Sequence, residues 1–235
     1  MMPGRMGQAL FITGTDTGVG KTVVTAALAL ATGAGAMKPI GCGLAPGEAV
    51  HADTRFLMDM AGRGDPVSDV TPLCLRAFRA PWIAARLEGK AVDLDPVWAA
   101  LERMRARHSK LLVEGVGGVR VPIRKGYEVR DFIRDSGMPV LLVARSGLGT
   151  LNHTALTLEA LAARGIPVIG FVLNDGPASC EDALAGENAE AVRSMTGLCC
   201  LGRIRPDRSL VAGRISPETV GAVSGAAAAW AKEAA

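Results

Sequence analysis

This chain has no stretch of about 18 or more purely apolar residues, the length a membrane-crossing helix requires, so no span and no membrane partner is expected. Neither sign of charge dominates. Against 23 Asp and Glu stand 26 Lys and Arg, a formal net charge of +3 that is too balanced to suggest nucleic acid or a membrane surface as partner. Aromatic residues are only 4% of the chain, while Ala and Gly are abundant, which suits helices packing closely on a sheet. The five cysteines (Cys42, Cys74, Cys180, Cys199 and Cys200) make an odd number with no metal-ligand spacing. Cys199-Cys200 lies in an apolar stretch and reads as strand. The first eight residues lack the apolar segment of a signal peptide, so a reducing cytoplasm is the expected compartment. No internal repeat or low-complexity linker is visible, and residues 1–235 read as a single domain.

The most informative stretch is Gln8 to Thr22. An apolar run from Ala9 to Ile12 reads as a buried strand, and a loop carrying Gly14, Gly18 and Gly20 follows. Lys21-Thr22 then opens a helix with Val23, Val24, Ala27, Leu28 and Leu30 as its apolar positions. Strand, glycine-rich loop, Gly-Lys-Thr and helix in that order define a phosphate-binding loop. The first N–H groups of a helix have no intrahelical partner, and the helix dipole adds positive potential there. Gly18 and Gly20 let the backbone approach a phosphate closely. Lys21 can reach β and γ phosphates, and the Thr22 hydroxyl can ligate Mg²⁺. The strict motif would place its first glycine where Thr15 stands. Gly14 sits one residue earlier, so the loop is a variant.

Further on, Ala34 to Ile40 reads as a second strand ending near Pro39, with Lys38 directed into the crevice at the carboxyl edge of the sheet. Residues 44–80 look irregular, with Asp53 expected chiefly as a helix cap, a role that does not exclude metal binding. Ala80-Pro81-Trp82 opens a helix to about Glu88. Asp95-Pro96 starts another as N-cap and first helical residue, burying Val97, Leu101 and Met104, with Arg103, Arg105 and Arg107 on its solvated side. Leu111 to Glu114 is a buried strand ending in a carboxylate and a glycine-rich turn, Gly115-Val116-Gly117-Gly118. In a phosphate-loop protein this is where an acidic residue meets Mg²⁺, directly or through water, and a buried carboxylate needs such a partner. Pro139 to Ala144 is a strand. Gly147 to His153 leads into a helix with Leu151, Ala155, Leu158, Leu161 and Ala162 on one side; its start is either a second anion site or a tight turn. Ile166 to Leu173 is a strand running into Asn174-Asp175, where the Asn either reads a base edge or shapes a turn. Residues 183–196 and 216–232 read as helices, with a strand near Leu198 to Ile204 between them. Alternating strands and helices imply an α/β fold: a mainly parallel β-sheet with helices on both faces, phosphate-loop NTPase-like.

Taken together, these residues resemble one family, the dethiobiotin synthetases. The matching segments are GTDTGVGKT (14–22), MKPIGCG (37–43), HAD (51–53), APWIAARLEG (80–89), VEGVGG (113–118), RSGLGTLNHTALTLEALAARGI (145–166) and FVLND (171–175), in the family's order. The last 60 residues match poorly. The resemblance implies an ATP- and Mg²⁺-dependent ring closure of 7,8-diaminopelargonate with CO₂ or bicarbonate, through a carbamate and a carbamic–phosphoric anhydride, releasing ADP and phosphate. It implies phosphate binding by Thr17, Gly18, Val19, Gly20, Lys21 and Thr22, and Mg²⁺ held by Thr22, Asp53 and Glu114. Lys38 and Lys21 would be the catalytic cations. Gly115, Val116 and Gly117 would lie beside the nucleotide, with Asn174 reading adenine and Asp175 next to it. It further implies a homodimer in which Gly149, Thr150, Leu151 and Asn152 of one subunit bind the substrate carboxylate at the neighbour's site. Cys42 stands where the family usually has Ser or Thr against substrate, Trp82 where it often has His, and Arg203 to Asp207 lacks the usual Ile-Pro pairing. The alternatives are a dimeric nucleotide switch of the partitioning or division type, or a related synthetase acting on another substrate. A switch would normally carry a lysine at position 16, where this chain has Asp16.

Overall fold

The computed structural model describes residues 8–176 and 180–233; most of the segment tested for a signal peptide and the last two residues of the Ala-rich tail lie outside them. The elements in order are β1 (Gln8–Gly14), α1 (Lys21–Thr32), β2 (Gly35–Met37), β3 (Ile40–Cys42), α2 (Ala52–Ala61), α3 (Val67–Val70), β4 (Leu73–Leu75), α4 (Pro81–Leu87) and α5 (Asp95–Arg107). They continue with β5 (Lys110–Glu114), β6 (Pro122–Arg124), β7 (Tyr127–Glu128), α6 (Val129–Ser136), β8 (Val140–Arg145), α7 (Thr150–Ala162), β9 (Val168–Asn174), α8 (Asp182–Thr196), β10 (Cys200–Ile204), α9 (Pro217–Ala222) and α10 (Ser224–Lys232).

Six strands form the central sheet in the order β10-β9-β8-β1-β5-β2, and every pair is parallel. From β1 the chain goes first to β2 at the edge and returns to lay β5 between the two, then builds on the other side through β8, β9 and β10. The order therefore reverses at β1, and a crevice opens beyond the carboxyl ends of its strands. Strand alternation divides the core between two faces. Leu10 and Ile12 of β1 join Val24 and Leu28 of α1 and Trp230 of α10 on one side. Phe11 faces the other side with α4, α5 and α6, where Phe132 lies 6.1 Å from Phe11 and 4.4 Å from Trp98, ring centre to ring centre. Leu142, Ala144, Phe171 and Leu173 pack against Val192 of α8. No helix among the described residues is long and apolar enough to cross a membrane.

The structure corrects several local expectations. The second strand is not continuous from Ala34 to Ile40. Only Gly35–Met37 joins the main sheet; after Lys38 and Pro39 the chain leaves it, and β3 pairs with β4 in a separate two-stranded sheet. The α5 helix begins at Asp95 itself, with Leu94 in the cap position and the Asp93 carboxylate accepting from the Asp95 N–H at 3.0 Å. Arg103 and Arg107 are not simply solvated. They donate to the buried carboxylates of Asp69 and Asp65, while Arg105 donates to the Ser136 carbonyl. On α7 the fully buried stripe is Thr150, Thr154, Thr157 and Leu161; Leu151, Ala155 and Leu158 are half-buried and Ala162 is exposed. The expected C-terminal helix is two helices meeting at Val223, and Cys199 lies just outside β10.

Candidate active site

Lys21, Lys38, Asp53 and Glu114 each project from a carboxyl strand end or the first turn of a helix. After β1 the chain turns through Gly20, whose φ of +97° only glycine adopts easily, and enters α1 at Lys21. The Lys21 ammonium donates to the loop's own Asp16 carbonyl at 2.9 Å. Glu114 ends β5 directly opposite Ile12 of β1, and the Gly115 N–H closes onto the Ile12 carbonyl at 2.9 Å. A side chain at Gly115 would press on the Phe11 ring, with its Cβ 2.9 Å from Cε1, so glycine lets this turn seat on the core. Lys38 leaves the end of β2, the strand next to β5, with its N–H on the Val70 carbonyl.

These elements converge on Glu114, whose side chain is fully buried. Its Oε1 accepts from the Thr22 hydroxyl at 2.8 Å and from the Lys38 ammonium at 2.8 Å. Lys38 also pairs with Asp53. Asp53 is thus not the cap of α2: His51 occupies that position, and the Asp53 carboxylate, in the first helical turn, serves Lys38 instead. The Oε2 atom of Glu114 is buried and has no partner. Such an oxygen calls for a cation or a donor. The other donors nearby, Thr22 hydroxyl and Asp53 carboxylate, are hard oxygens of the kind Mg²⁺ takes. The residues therefore fit that ion, although no cluster of three His, Cys, Asp or Glu side chains is present among the described residues. The Thr22 hydroxyl would complete such a donor set.

The protonation balance is set by burial against neighbouring charge. Burial lowers Lys21 to about 8, helped by the charge of Lys38 and opposed by Glu114, Asp53 and Asp16. Burial also disfavours charge on Lys38, yet the Glu114 and Asp53 carboxylates outweigh it and hold its ammonium above the usual lysine range. For Asp53, burial is likewise outweighed, here by the charge and hydrogen bond of Lys38, and its carboxyl is held below the usual range. Cys42 is pushed up to about 12 by burial, so it is a neutral thiol.

A cleft of about 630 Å³ opens over these groups. Of the residues expected at the site, Thr17, Gly18, Gly20, Lys21, Thr22, Lys38, Cys42, Asp53, Glu114, Val116 and Gly117 line it. Val19 and Gly115 belong to the same two turns but do not form its wall. Asn174 and Asp175 lie outside it. The Asn174 amide donates to the Val19 carbonyl at 2.9 Å, buttressing the phosphate loop, and Asp175 makes a two-pronged ion pair with Arg203. Gly149, Thr150, Leu151 and Asn152 start α7 and also do not line the cleft. Sequence reasoning gave no role to His51, Phe78, Arg79 or Val121, all of which line it. His51 was visible beside Asp53, and its ring nitrogen Nε2 meets the Cys42 carbonyl at 2.8 Å. Phe78 and Arg79 sit in a stretch with no periodicity to mark them.

A parallel sheet reversing at β1, with a lysine-bearing helix N-terminus and a buried acidic strand end at the crevice, defines the phosphate-loop NTPase class. The family profile described as an AAA domain matches residues 8–214. Solved structures of low sequence identity share the fold: the cell-division ATPase MinD of Pyrococcus furiosus superposes with a TM-score of 0.56 at 18% identity over 97% of this chain and 100% of that one. A ParA-family ATPase from Chlorobium tepidum gives 0.54 at 14% identity over 97% of this chain and 98% of that one. Sequence is more specific. The ATP-dependent dethiobiotin synthetase of Thermodesulfovibrio yellowstonii is 41% identical, over 82% of this chain and 86% of that enzyme. That of Anaeromyxobacter sp. is 43% identical over 86% and 92%, and that of Bacillus subtilis 36% over 83% and 86%. The chain belongs to the dethiobiotin synthetase family, a family of ATP-dependent ligases.

Proposed function

We propose that this cleft binds ATP with Mg²⁺ and closes the ureido ring of dethiobiotin from 7,8-diaminopelargonate and CO₂, releasing ADP and phosphate, and that residues 1–235 form the one domain that does so. The observation that carries this reading is the convergence of Lys21, Lys38, Thr22, Asp53 and Glu114 on one cleft. One amine of the substrate takes up CO₂, loses a proton and becomes a carbamate. A carbamate oxygen then attacks the γ-phosphorus and ADP leaves. The second amine attacks the carbon of the resulting carbamic–phosphoric anhydride, and phosphate departs as the ring closes.

Each stage moves negative charge, and the chain supplies its counterpart. The N–H groups from Thr17 to Thr22 and the Lys21 ammonium receive the phosphates. Lys38 holds the carbamate and stabilises the phosphoryl group in flight. Thr22, Asp53 and Glu114 would hold Mg²⁺, which supplies neutralisation of phosphate charge when bound. Cys42, a neutral thiol in the cleft wall, offers a weak donor to substrate without repelling its carboxylate. Asn174 would meet adenine from its position behind the loop, with Asp175 beside it.

A homodimer belongs to the same reading, with Gly149, Thr150, Leu151 and Asn152 receiving the substrate carboxylate at the partner's cleft. In support, these four residues begin a 13-residue helix away from their own cleft, next to Leu148, which is 90% exposed. A cytoplasmic location belongs to the same reading, as the similarity to dethiobiotin synthetases supports. The nucleotide-switch alternative is not favoured, because Asp16 pairs with Arg145 of the same chain where a switch would send a lysine across the dimer. The test is a product assay: purified protein with diaminopelargonate, bicarbonate, Mg²⁺ and ATP yields dethiobiotin and ADP in equal amounts. ADP without dethiobiotin would overturn the substrate assignment.

A further inference from the structure

The Lys38 ammonium sits between the two carboxylates that the preceding reading gives to Mg²⁺. It lies 2.8 Å from Glu114 Oε1 and is paired with Asp53, and its side chain is only 7% exposed. The Thr22 hydroxyl is turned onto the same Oε1. Each of the three donor side chains of the metal site is therefore engaged with another of them or with Lys38, and the buried Oε2 of Glu114 is left without a partner. Counting the nearby charges, Lys21 and Lys38 balance Asp53 and Glu114. This inner set of four is balanced without any ion, and Arg79 adds a further positive charge to the cleft wall.

We propose that Lys38 is an internal counter-ion that competes with the divalent cation for Asp53 and Glu114, so that the site accepts metal only together with a polyphosphate that gives Lys38 a new partner. This inference rests on the assignment of those carboxylates to the metal. The reasoning is electrostatic. A divalent cation at the carboxylates meets a monovalent cation already buried there, in a setting where screening by water is weak. Metal alone must displace Lys38 into a cleft that offers it no other anion. A metal–nucleotide complex brings its own negative charge, which both outweighs the added cation and receives the displaced ammonium. Lys38 thus moves from guarding the empty metal site to serving the reacting groups, and one side chain couples the two binding events.

The test is Mn²⁺ binding followed by electron paramagnetic resonance, with and without ADP, in the wild type and in Lys38→Met. Without nucleotide, Lys38→Met is expected to bind Mn²⁺ about tenfold or more tightly than the wild type. With ADP present, that difference is expected to shrink. Equal or weaker Mn²⁺ binding by folded Lys38→Met without nucleotide would overturn the proposal. Should Lys38→Met fail to fold, the wild type carries the test through the ¹³Cε resonances of its six lysines. The Lys38 signal is expected to stay in place with sub-saturating Mg²⁺ alone and to shift when ADP is added; a shift as large with Mg²⁺ alone at the same concentration overturns it. Glu114→Gln separates the two layers of the argument. If it leaves Mn²⁺ binding in the presence of ADP unchanged, the metal assignment falls and this inference falls with it. If it abolishes binding while Lys38→Met does not tighten it, the metal assignment stands and only the competition is lost.

Discussion

Gly20→Ala tests how the phosphate loop is held from behind. A Cβ at Gly20 would overlap the Asn174 amide nitrogen and lie 3.0 Å from its Cγ, on a backbone whose φ is +97°. Two costs follow. The left-handed backbone penalises a non-glycine residue by about 1–2 kcal/mol. The Asn174 amide must also move, surrendering its hydrogen bond to the Val19 carbonyl in a buried setting, which costs about 1–3 kcal/mol more. The sum, about 2–5 kcal/mol, should appear as a lower urea midpoint at unchanged slope. The second cost is shared with Asn174→Ala, which loses the same bond. In a double-mutant cycle, Asn174→Ala should therefore add almost nothing in the Gly20→Ala background, leaving a coupling of about 1–3 kcal/mol. Strict additivity of the two substitutions, or a Gly20→Ala loss below about 1 kcal/mol, would refute the contact as the reason for glycine at this position.

Other residues can be tested the same way. Lys21→Ala should reduce nucleotide-dependent turnover by about 100-fold or more, since the phosphates lose their nearest cation; near wild-type activity would sink the loop assignment. Lys38→Ala should bind ATP within a few-fold of wild type yet lose about 100-fold or more in kcat, because its contribution is made mainly in the transition state. A loss confined to ATP affinity would move Lys38 to the nucleotide. With its thiol pushed up to about 12, Cys42 is thiolate in only about one molecule in ten thousand at pH 8, so iodoacetamide should label it far more slowly than the exposed Cys199, as read by peptide mass spectrometry. For Asp207, burial opposes ionisation, but donation from the Ser216 N–H, the Thr219 hydroxyl and the Ser209 N–H outweighs it and holds the carboxyl well below the usual range. Its depressed value means a stabilisation present above the ordinary Asp range and lost as pH falls beneath it. Asp207→Ala should lower the unfolding free energy by about 2–3 kcal/mol at pH 7, with the gap narrowing below about pH 4.

The parts of the site legible in sequence are those whose chemistry is local. Gly20, Lys21 and Thr22 form one turn, and Glu114 follows directly from a buried strand ending at a glycine. Only the capping role of Asp53 fails: a carboxylate at a helix start has a ready local use, and nothing in the sequence says that Lys38, 15 residues away, reaches it. Arg103 and Arg107 looked solvated for the same reason: their partners Asp65 and Asp69 lie 34 to 42 residues off, in a segment without periodicity. The parallel sheet was legible from alternation, but the departure of β3 into its own small sheet was marked only by Pro39. On α7, threonines take the buried positions that a hydropathy pattern would give to leucine. Thr157 manages this by donating its hydroxyl to the His153 carbonyl one turn back.

The C-terminal residues beyond the family match, which ends at residue 214, stand directly behind the phosphate loop. Trp230 is only 2% exposed and shares its core with Leu10, Ile12, Val24 and Leu28, the residues under the phosphate loop. The α9–α10 junction seats so closely on β10 that a Cβ on Gly202 would collide with the Ala222 carbonyl oxygen and one on Gly225 with that of Leu201. The tail therefore works as a wedge, constrained by the volume it must fill. Shortening the chain before Trp230, or widening the seat at Gly202, would loosen the floor beneath Lys21 without touching a single group that meets ATP.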